Sequence, residues 1–288
     1  MPANRWTVGD EATPVPLRVL ANLYVWLFGR KVFYGWNQRL LNLSVRGMGV
    51  GNPTIGLIAP AEDRFLRRMA ATGQLNVFDV GAYVGEYAAR LRELSPSAKI
   101  WSFEPHPATF KRLLVEAARS GFTAVNMGLS DEPGRVQLYD YAAVNDGSGT
   151  AHATLHAQVI ESVHHGASDA VEVEVTTVDA YMEAENISHV HLLKVDAEGH
   201  ELSILRGGSG AITSGRVDVV QFEFNEMNVM SRVFFKDFYA ALPGFSFYHM
   251  LVDGLAPIGP YHPRTHELFI LQNVIAIRDD LEYRATLL

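Results

Sequence analysis

A glycine turn at residues 77–86, Val-Phe-Asp-Val-Gly-Ala-Tyr-Val-Gly-Glu, carries the clearest chemical pattern in the chain. It has the form of a buried strand, a turn and the first residue of a helix. Gly81 allows the backbone to bend, and Gly85 allows the helix to pack closely. The N–H groups at the start of a helix bind anionic groups. We therefore expect a nucleotide-like cofactor here, with Asp79 at the strand tip and Glu86 opening the helix.

The spacing of the glycines distinguishes between two candidate cofactors, a dinucleotide such as NAD and S-adenosylmethionine. A dinucleotide site has the pattern G-x-G-x-x-G, whose middle glycine approaches the pyrophosphate. This chain has Ala82 and Tyr83 in that region. Asp79 would repel a pyrophosphate but attract an ammonium group, which S-adenosylmethionine carries. The pattern favours S-adenosylmethionine, with an NAD-dependent oxidoreductase as a rival and a turn kept for geometry alone as the structural alternative.

A second acid supports a cofactor site. The predicted strand 99–103 ends at Glu104, which is followed by Pro105. In doubly wound folds, an acid at the tip of the second strand binds the hydroxyls of a ribose.

Further acids follow a later strand. Asp196, Glu198 and His200 alternate along a turn after the predicted strand 190–195, and Glu223 lies near the end of strand 218–224. Ligands of open parallel sheets bind at the carboxyl ends of the strands. A carboxylate or a histidine there could remove the proton of a hydroxyl during methyl transfer.

Other interpretations of these residues stay open. Asp196 and Glu198 suit the first turn of a helix at 201–206. Asp196, Glu223 and Asn225 offer oxygen ligands of the kind that Mg²⁺ or Ca²⁺ takes. Lys194 lies in an apolar run and needs a partner, for which we expect Glu198 or Glu223. Six further histidines could suggest a transition-metal site but show no repeating ligand spacing, and they are His152, His156, His164, His165, His189 and His191.

Composition limits the classes of function. The chain has 288 residues, 48% of them hydrophobic, and a net charge of −8. This balance suits a globular α/β protein and disfavours nucleic acid as a partner. The absence of cysteine excludes disulfides, thiolate zinc sites and cysteine nucleophiles. The acids and prolines of the first 16 residues do not resemble a signal peptide, so we expect a cytoplasmic protein.

Strands and helices alternate from residue 76 onwards and predict a mostly parallel, seven-stranded sheet with helices on both faces. We expect a catalytic domain over 61–288 and an N-terminal helical extension with a linker over 1–60. The last two strands, 245–250 and 268–276, should pair antiparallel through a loop at 254–265. An irregular stretch at 151–168 is expected to be a loop that contributes to substrate choice.

The segment 17–43 predicts one or two helices that mix aromatic, apolar and basic residues. Three roles are open for it. It packs over the catalytic domain or against a second subunit, it lies in the plane of a membrane surface, or it covers the substrate. Its most apolar stretch, 19–28, is about half of the ~20 residues needed to span a bilayer.

Five motifs together resemble the FkbM family of S-adenosylmethionine-dependent methyltransferases. They are the turn 78–85, the Phe-Glu-Pro at 103–105, the Asn-x-x-Leu-Ser-Asp at 126–131, the Thr-Val-Asp at 177–179, and the Leu-Lys-Val-Asp-Ala-Glu-Gly-His-Glu at 193–201. The resemblance covers about residues 75–275. It implies a class I methyltransferase fold and O-methylation of hydroxyls on sugars, polysaccharides, glycolipids or polyketide-like products. The acceptor is therefore expected to be a small molecule or a glycan, and homo-oligomerisation stays open.

The resemblance also implies roles for residues. Asp79, Gly81, Ala82 and Gly85 would hold the methionine end of the cofactor, Glu104 the ribose, and residues from Asn126 to Ser130 the adenine edge. Asp196, Glu198 and His200 would face the acceptor. Tyr83 departs from the family pattern, in which many members have asparagine. A metal-assisted transferase and a non-catalytic S-adenosylmethionine-binding protein are the remaining alternatives.

Overall fold

The computed structural model describes residues 15–51, 60–141 and 168–288. Most of the predicted loop at 151–168, with four of the histidines named above, and most of the predicted linker before residue 60 lie outside these ranges. The chain forms a doubly wound α/β domain with a helical hairpin at its N-terminal end.

The main sheet has eight strands, in the order β10-β9-β11-β8-β7-β1-β2-β3. These strands are β1 (Asn76–Val80), β2 (Lys99–Phe103), β3 (Thr123–Val125), β7 (Val190–Val195), β8 (Val217–Phe224), β9 (Phe245–Leu251), β10 (Gly254–Pro257) and β11 (Gln272–Arg278). The strands from β8 to β3 are parallel, whereas β11 is antiparallel to β8 and β9. The predicted mostly parallel sheet and its antiparallel closing pair are confirmed.

The prediction of seven strands was wrong by one edge strand. Residues 254–257 pair with β9 through a tight turn, with Gly254 opposite Leu251. The sequence Gly-Leu-Ala-Pro has the composition of a loop, and its proline is tolerated because an edge strand needs fewer backbone donors. The rest of the predicted loop contains the short helix α11 (Pro263–His266).

A second sheet of three strands has the order β4-β6-β5. Its strands are β4 (Gly128–Leu129), β5 (Gly134–Tyr141) and β6 (Ser168–Thr176). β6 alternates buried valines with exposed acids, which is typical of a sheet with one face in solvent. In the sequence, this small sheet lies between β3 and β7 of the main sheet.

Helices cover both faces of the main sheet. The helices are α1 (Val15–Phe28), α2 (Tyr34–Gly47), α3 (Pro60–Ala70), α4 (Glu86–Leu94), α5 (Pro107–Ser120), α6 (Val178–Ala184), α7 (Glu201–Gly207), α8 (Ser209–Thr213), α9 (Met227–Ser231), α10 (Phe235–Ala241) and α12 (Arg284–Leu287), and Lys31–Phe33 form a 3₁₀ turn, η1. One apolar core lies between the sheet and α6, α7, α8 and α10. The other lies between the sheet and α3, α4, α5 and α12.

Local sequence explains why the helices begin at the carboxyl ends of the strands. Gly85 precedes α4 with a left-handed φ of 88°. Pro107 opens α5, and the ring of His106 accepts the N–H of Thr109. Proline suits the first helical position because it has no N–H to satisfy. These starts place α4 and α5 directly after the two acids of the predicted cofactor site.

Candidate active site

The glycine turn after β1 is fixed by backbone hydrogen bonds. The N–H groups of Gly81 and Ala82 donate to the carbonyl of Phe103, at 3.1 and 3.0 Å. Gly85 closes the turn by donating to the carbonyl of Ala82 at 2.8 Å. A Cβ on Gly85 would lie 2.7 Å from the ring of Phe122, which explains the requirement for glycine.

Gly81 brings the turn against Asp196. Its φ is +74°, and a Cβ built on it would lie 1.7 Å from the carbonyl oxygen of Asp196. The N–H of Asp196 in turn donates to the carbonyl of Val80 at 3.1 Å. The predicted cofactor turn and the predicted catalytic acid are therefore neighbours at the carboxyl edge of β1 and β7.

Glu104 is held against the same turn. One carboxylate oxygen accepts the N–H of Tyr83 at 3.1 Å, and the other accepts the N–H of His106 at 2.8 Å. The side-chain amide of Asn126 donates to the carbonyls of Glu104 and Pro105, at 2.9 and 3.2 Å. The structure thus joins four of the predicted cofactor residues at the end of β2, namely Tyr83, Glu104, Pro105 and Asn126.

Tyr83 has a left-handed backbone conformation with φ of 50°, which is unusual for a bulky residue. Its ring lies under the guanidinium of Arg112, with 5.2 Å between the charge centre and the ring centroid. Asparagine adopts this conformation more readily, which gives a physical reason for the asparagine in the family pattern. The contribution of Tyr83 to the turn is therefore its backbone N–H.

Glu86 lies in the first turn of α4 and is exposed. It lines a cavity of about 580 Å³ between α3, α4 and α5. The cavity extends along these helices to Glu93 in α4 and Arg119 in α5. This cavity lies beside the helices rather than at the strand ends. The structure therefore places Glu86 at this cavity.

Lys194 bridges two acids beneath the site. Its ammonium lies 3.4 Å from Asp79 and 3.3 Å from Asp196. The prediction that Lys194 pairs with Glu198 or Glu223 was wrong, because β1 and β7 align Asp79 directly opposite Lys194. Burial would lower the pKa of Lys194, but Asp196, Asp79 and Glu62 outweigh burial and raise it. Lys194 therefore stays charged and holds Asp196 at the edge of the sheet.

Asp79 is fully buried, and burial raises the pKa of its carboxyl against the lowering effect of Lys194. One oxygen of this carboxyl faces Lys194, and the other lies 3.4 Å from the hydroxyl of Ser102. Asp196 differs in that 40% of its side chain is exposed. Of the two acids that pair with Lys194, Asp196 is the one exposed to solvent at the carboxyl edge of the sheet.

A polar network that the sequence analysis missed supports Lys194. Gln221 accepts the hydroxyl of Tyr87 at 2.8 Å and donates to Glu62 at 2.6 Å. The ammonium of Lys194 lies 5.4 Å from the centre of the Tyr87 ring. In the sequence, the only sign of this network is Gln221, a polar residue in an otherwise apolar strand. Its partners could not be predicted because they lie on helices that are far away in the sequence.

The turn 196–201 is fixed by Glu201, a second residue that the sequence analysis did not assign. One oxygen of its carboxylate accepts the N–H groups of Ala197 and Gly199, at 3.0 and 3.1 Å. Burial raises the pKa of Glu201 to about 7, against the lowering effect of these hydrogen bonds. Within this turn Glu198 is buried and has a left-handed φ of 51°, a strained conformation that is common at functional sites.

Glu223 completes a group of acids at this edge. Burial, followed by the charges of Asp196, Glu198 and Glu201, raises the pKa of Glu223 well above its usual range. A carboxyl with a raised pKa keeps its proton to a higher pH than usual. The structure therefore brings the predicted acids of β7 and β8 into electrostatic contact.

Asn225 is engaged within its own turn. Its amide N–H donates to Glu223 at 2.8 Å, and its oxygen accepts the N–H of Met227 at 2.8 Å. The side chain is buried. These bonds occupy the oxygen that the predicted metal site with Asp196 and Glu223 would use.

His200 contacts the predicted adenine edge. Its Nε2 lies 2.9 Å from the hydroxyl of Ser130, which donates to Asp131 at 3.0 Å. A Cβ on Gly207 would lie 2.0 Å from the carbonyl of Ser130, so α7 packs directly on this segment. His200 therefore joins the turn 196–201 to the segment after β4.

A different set of residues offers metal ligands within the described ranges. Ligand atoms of His189, His191 and Asp218 lie within 4.8 Å of one another at the amino ends of β7 and β8. Asp218 already accepts from Tyr283 at 2.6 Å and faces Arg278 at 3.2 Å. A cation would meet the charge of Arg278, and this edge lies opposite the acids described above.

The residues present fit S-adenosylmethionine. Gly81 and Gly85 give the turn left-handed backbone conformations and close packing against Asp196 and Phe122, and Glu104 is oriented beside it by two backbone N–H groups. A ribose diol needs such a carboxylate, and the cationic methionine end suits an acidic edge.

Comparisons with known proteins agree with this geometry. The family model described as "Methyltransferase FkbM domain" matches residues 79–248. "Methyltransferase 1" of Beauveria bassiana is 31% identical over 143 residues, which cover 46% of this chain and 57% of the relative. "Hexuronic acid methyltransferase AglP" of Haloferax volcanii is 27% identical over 149 residues, which cover 50% of this chain and 54% of the relative. These matches span little more than half the length of each relative.

A solved structure is also similar. An O-methyltransferase from Bacillus cereus in complex with SAH aligns with 90% of this chain and 97% of its own, at 11% identity and a TM-score of 0.40.

Proposed function

Since the chain belongs to the FkbM methyltransferase family, we propose that it transfers a methyl group from S-adenosylmethionine to a hydroxyl of a carbohydrate, a glycolipid or a glycosylated natural product. The contact between Gly81 and Asp196 carries this proposal. It sets the turn that would hold the cofactor directly beside an exposed carboxylate, which is the pairing that transfer to a hydroxyl requires.

The cofactor residues in this proposal follow the geometry of the turn. The backbone of Gly81, Ala82, Tyr83 and Gly85 lines the methionine end, and Glu104 binds the ribose. Asn126 and Ser130 border the adenine. When bound, S-adenosylmethionine supplies an electrophilic methyl group on a sulfonium.

Asp79 takes a different role from the one that the family resemblance implies. It is fully buried and lies on Lys194. We assign it to the support of the turn and of Lys194, so that its influence on the methionine ammonium is electrostatic.

Asp196 is the proposed base. Its carboxylate is partly exposed, and Lys194 fixes its position at 3.3 Å. Removal of the hydroxyl proton by Asp196 would leave an oxygen nucleophile beside the cofactor turn. Glu223 and Glu198 contribute acceptor oxygens that can bind other hydroxyls of a sugar. His200 is the alternative base, although its contact with Ser130 places it closer to the adenine side.

The carbohydrate class is supported by the relative from Haloferax volcanii, which is named a hexuronic acid methyltransferase. Several acids at one edge also suit a polyhydroxylated acceptor, because carboxylates accept hydrogen bonds from neighbouring hydroxyls. Magnesium is not included in the proposal, since the oxygen of Asn225 is already engaged.

The first experiment is calorimetric titration of the purified protein with S-adenosylmethionine, S-adenosylhomocysteine and NAD. We expect binding of the two adenosyl compounds and none of NAD. Methyl transfer is then assayed with isotope-labelled cofactor and a panel of neutral sugars, uronic acids and glycosides, with and without a chelator. Transfer that chelation abolishes would establish the metal-assisted alternative, and tight cofactor binding without transfer to any sugar would favour a non-catalytic role.

A further inference from the structure

The helices α1 and α2 form a hairpin that barely touches the rest of the protein. No residue from 16 to 44 is buried. The hairpin joins the α/β domain, called the body below, at the C-terminal end of α2. There Val45 and Val50 are buried, and the N–H of Gly51 donates to the carbonyl of Leu271 at 2.7 Å. The body therefore leaves most of the surface of the hairpin open.

An aromatic cluster holds the hairpin together internally. The ring of Phe28 lies 5.2 Å from Tyr24, 5.3 Å from Phe33 and 5.3 Å from Trp36, measured between centroids. The amide of Asn37 donates to the carbonyl of Phe28 at 3.0 Å and accepts from Tyr24. The two helices are thus packed on each other through this cluster.

The hairpin also exposes large apolar side chains. Val32 is 81% exposed and Trp26 is 67% exposed. The other large apolar side chains exposed on the hairpin outside the aromatic cluster are Val19, Leu20, Leu23, Val25, Leu27, Tyr34, Leu40, Leu41 and Leu43. Water-soluble surfaces rarely carry a contiguous patch of this kind unless it contacts a partner or a membrane.

The charge of the hairpin identifies the partner. Residues 15–61 contain no acid, although the whole chain has a net charge of −8. The same stretch carries five basic residues, Arg18, Arg30, Lys31, Arg39 and Arg46. A second copy of the hairpin would bring like charges together, whereas anionic lipid headgroups would neutralise them. Aromatic and basic residues beside apolar ones are typical of helices at a membrane surface.

We propose that the α1–α2 hairpin binds the surface of an anionic lipid bilayer, with its exposed apolar side chains inserted among the headgroups. No helix in the described part of the chain has the length and apolarity needed to cross a membrane. Each helix has 14 residues, which extend over about 21 Å, less than the ~30 Å of the hydrocarbon layer. The hairpin therefore lies at the surface, and the catalytic domain is held beside it.

The test is co-sedimentation of the full-length protein with lipid vesicles. We expect binding to vesicles of phosphatidylcholine mixed with phosphatidylglycerol, weaker binding to phosphatidylcholine alone, and release by salt. The double variant Lys31→Glu/Arg39→Glu should lower the affinity by about tenfold or more. Trp26→Ser/Val32→Ser should lower it similarly, because both side chains are exposed outside the aromatic cluster.

The matched control reverses two exposed charges on the body, Lys99→Glu/Lys111→Glu, and should bind vesicles as the original protein does. Cofactor binding, measured by calorimetry, should be equal in all variants and verifies that they fold. Failure to bind either type of vesicle would overturn the proposal. So would a dimer, detected by light scattering, that Trp26→Ser/Val32→Ser converts to a monomer, since a second copy would then cover the hairpin.

Discussion

Gly81 lies so close to Asp196 that a methyl group on Gly81 would overlap the Asp196 carbonyl, at 1.7 Å. The two residues are 115 positions apart in the chain, yet the parallel pairing of β1 and β7 brings them together. The requirement for glycine here comes from the neighbouring strand as well as from the φ of +74°. The shape of the cofactor turn and the position of the proposed base therefore depend on each other.

Replacing Gly81 with alanine should disrupt both the shape of the cofactor turn and the position of Asp196. We expect Gly81→Ala to destabilise the protein by about 2 kcal/mol or more and to abolish detectable binding of S-adenosylhomocysteine. Urea denaturation and calorimetry measure the two effects. Gly134→Ala is the control, because a Cβ on Gly134 would meet no other atom within 4 Å. Normal binding by Gly81→Ala would show that the turn is not the cofactor site.

Lys194→Met should be strongly destabilising, because it leaves the fully buried Asp79 without its cation. Removal of one partner of a buried pair costs about 3–5 kcal/mol. Urea denaturation measures the change in the free energy of unfolding. The double variant Asp79→Asn/Lys194→Met should recover much of the loss, since the buried carboxylate of Asp79 is then removed together with its cation.

An exposed ion pair provides the comparison for Lys194. Arg135 and Glu172 lie 3.0 Å apart with 71% and 55% of their side chains exposed. Arg135→Met should cost less than about 1 kcal/mol. Equal costs for Lys194→Met and Arg135→Met would contradict the role of Lys194 as the buried support of Asp196.

These residues also show how far the sequence alone could lead. The alternation of strands and helices, the glycine turn and the acids after β7 were all visible as local patterns. The partner of Lys194 was not, because it depends on the register of β1 against β7. Glu62 and Gln221 are 159 residues apart and meet only when α3 packs on β8. Local patterns thus predicted the elements, whereas contacts between distant elements required the structure.

Glu201 should make stability depend on pH. Its pKa is raised from 4.5 to about 7 by burial, so the folded protein binds the proton more tightly than the unfolded chain. This contribution to stability is fully present below about pH 4.5 and is lost as the pH rises towards about 7. Glu201→Gln keeps an acceptor oxygen for Ala197 and Gly199 and removes the ionisation.

We therefore expect Glu201→Gln to be more stable than the original protein above pH 7, by about 1–3 kcal/mol. The difference should shrink as the pH falls towards 4.5. Urea denaturation across this range measures it. A difference that does not vary with pH would mean that Glu201 does not titrate in this window.

Tyr83→Asn should stabilise the glycine turn by about 1 kcal/mol, because asparagine accepts the left-handed conformation at φ of 50° more readily. The backbone N–H that Glu104 accepts is retained. Loss of the contact with Arg112 offsets part of the gain. Tyr83→Phe keeps the strained conformation and serves as the control, with stability unchanged within about 0.5 kcal/mol. Thermal unfolding that ranks Tyr83→Asn below Tyr83→Phe would contradict this account.

Asp196→Asn tests the proposed base, once an acceptor is known. The exposed carboxylate is lost, whereas the backbone contacts with Val80 and Gly81 remain. We expect kcat to fall by about 10²–10⁴-fold, the range for loss of a general base, with binding of S-adenosylhomocysteine changed by less than about tenfold. His200→Gln removes the alternative base and should lower kcat far less, because His200 contacts Ser130. A larger fall for His200→Gln than for Asp196→Asn would transfer the role of base to the histidine.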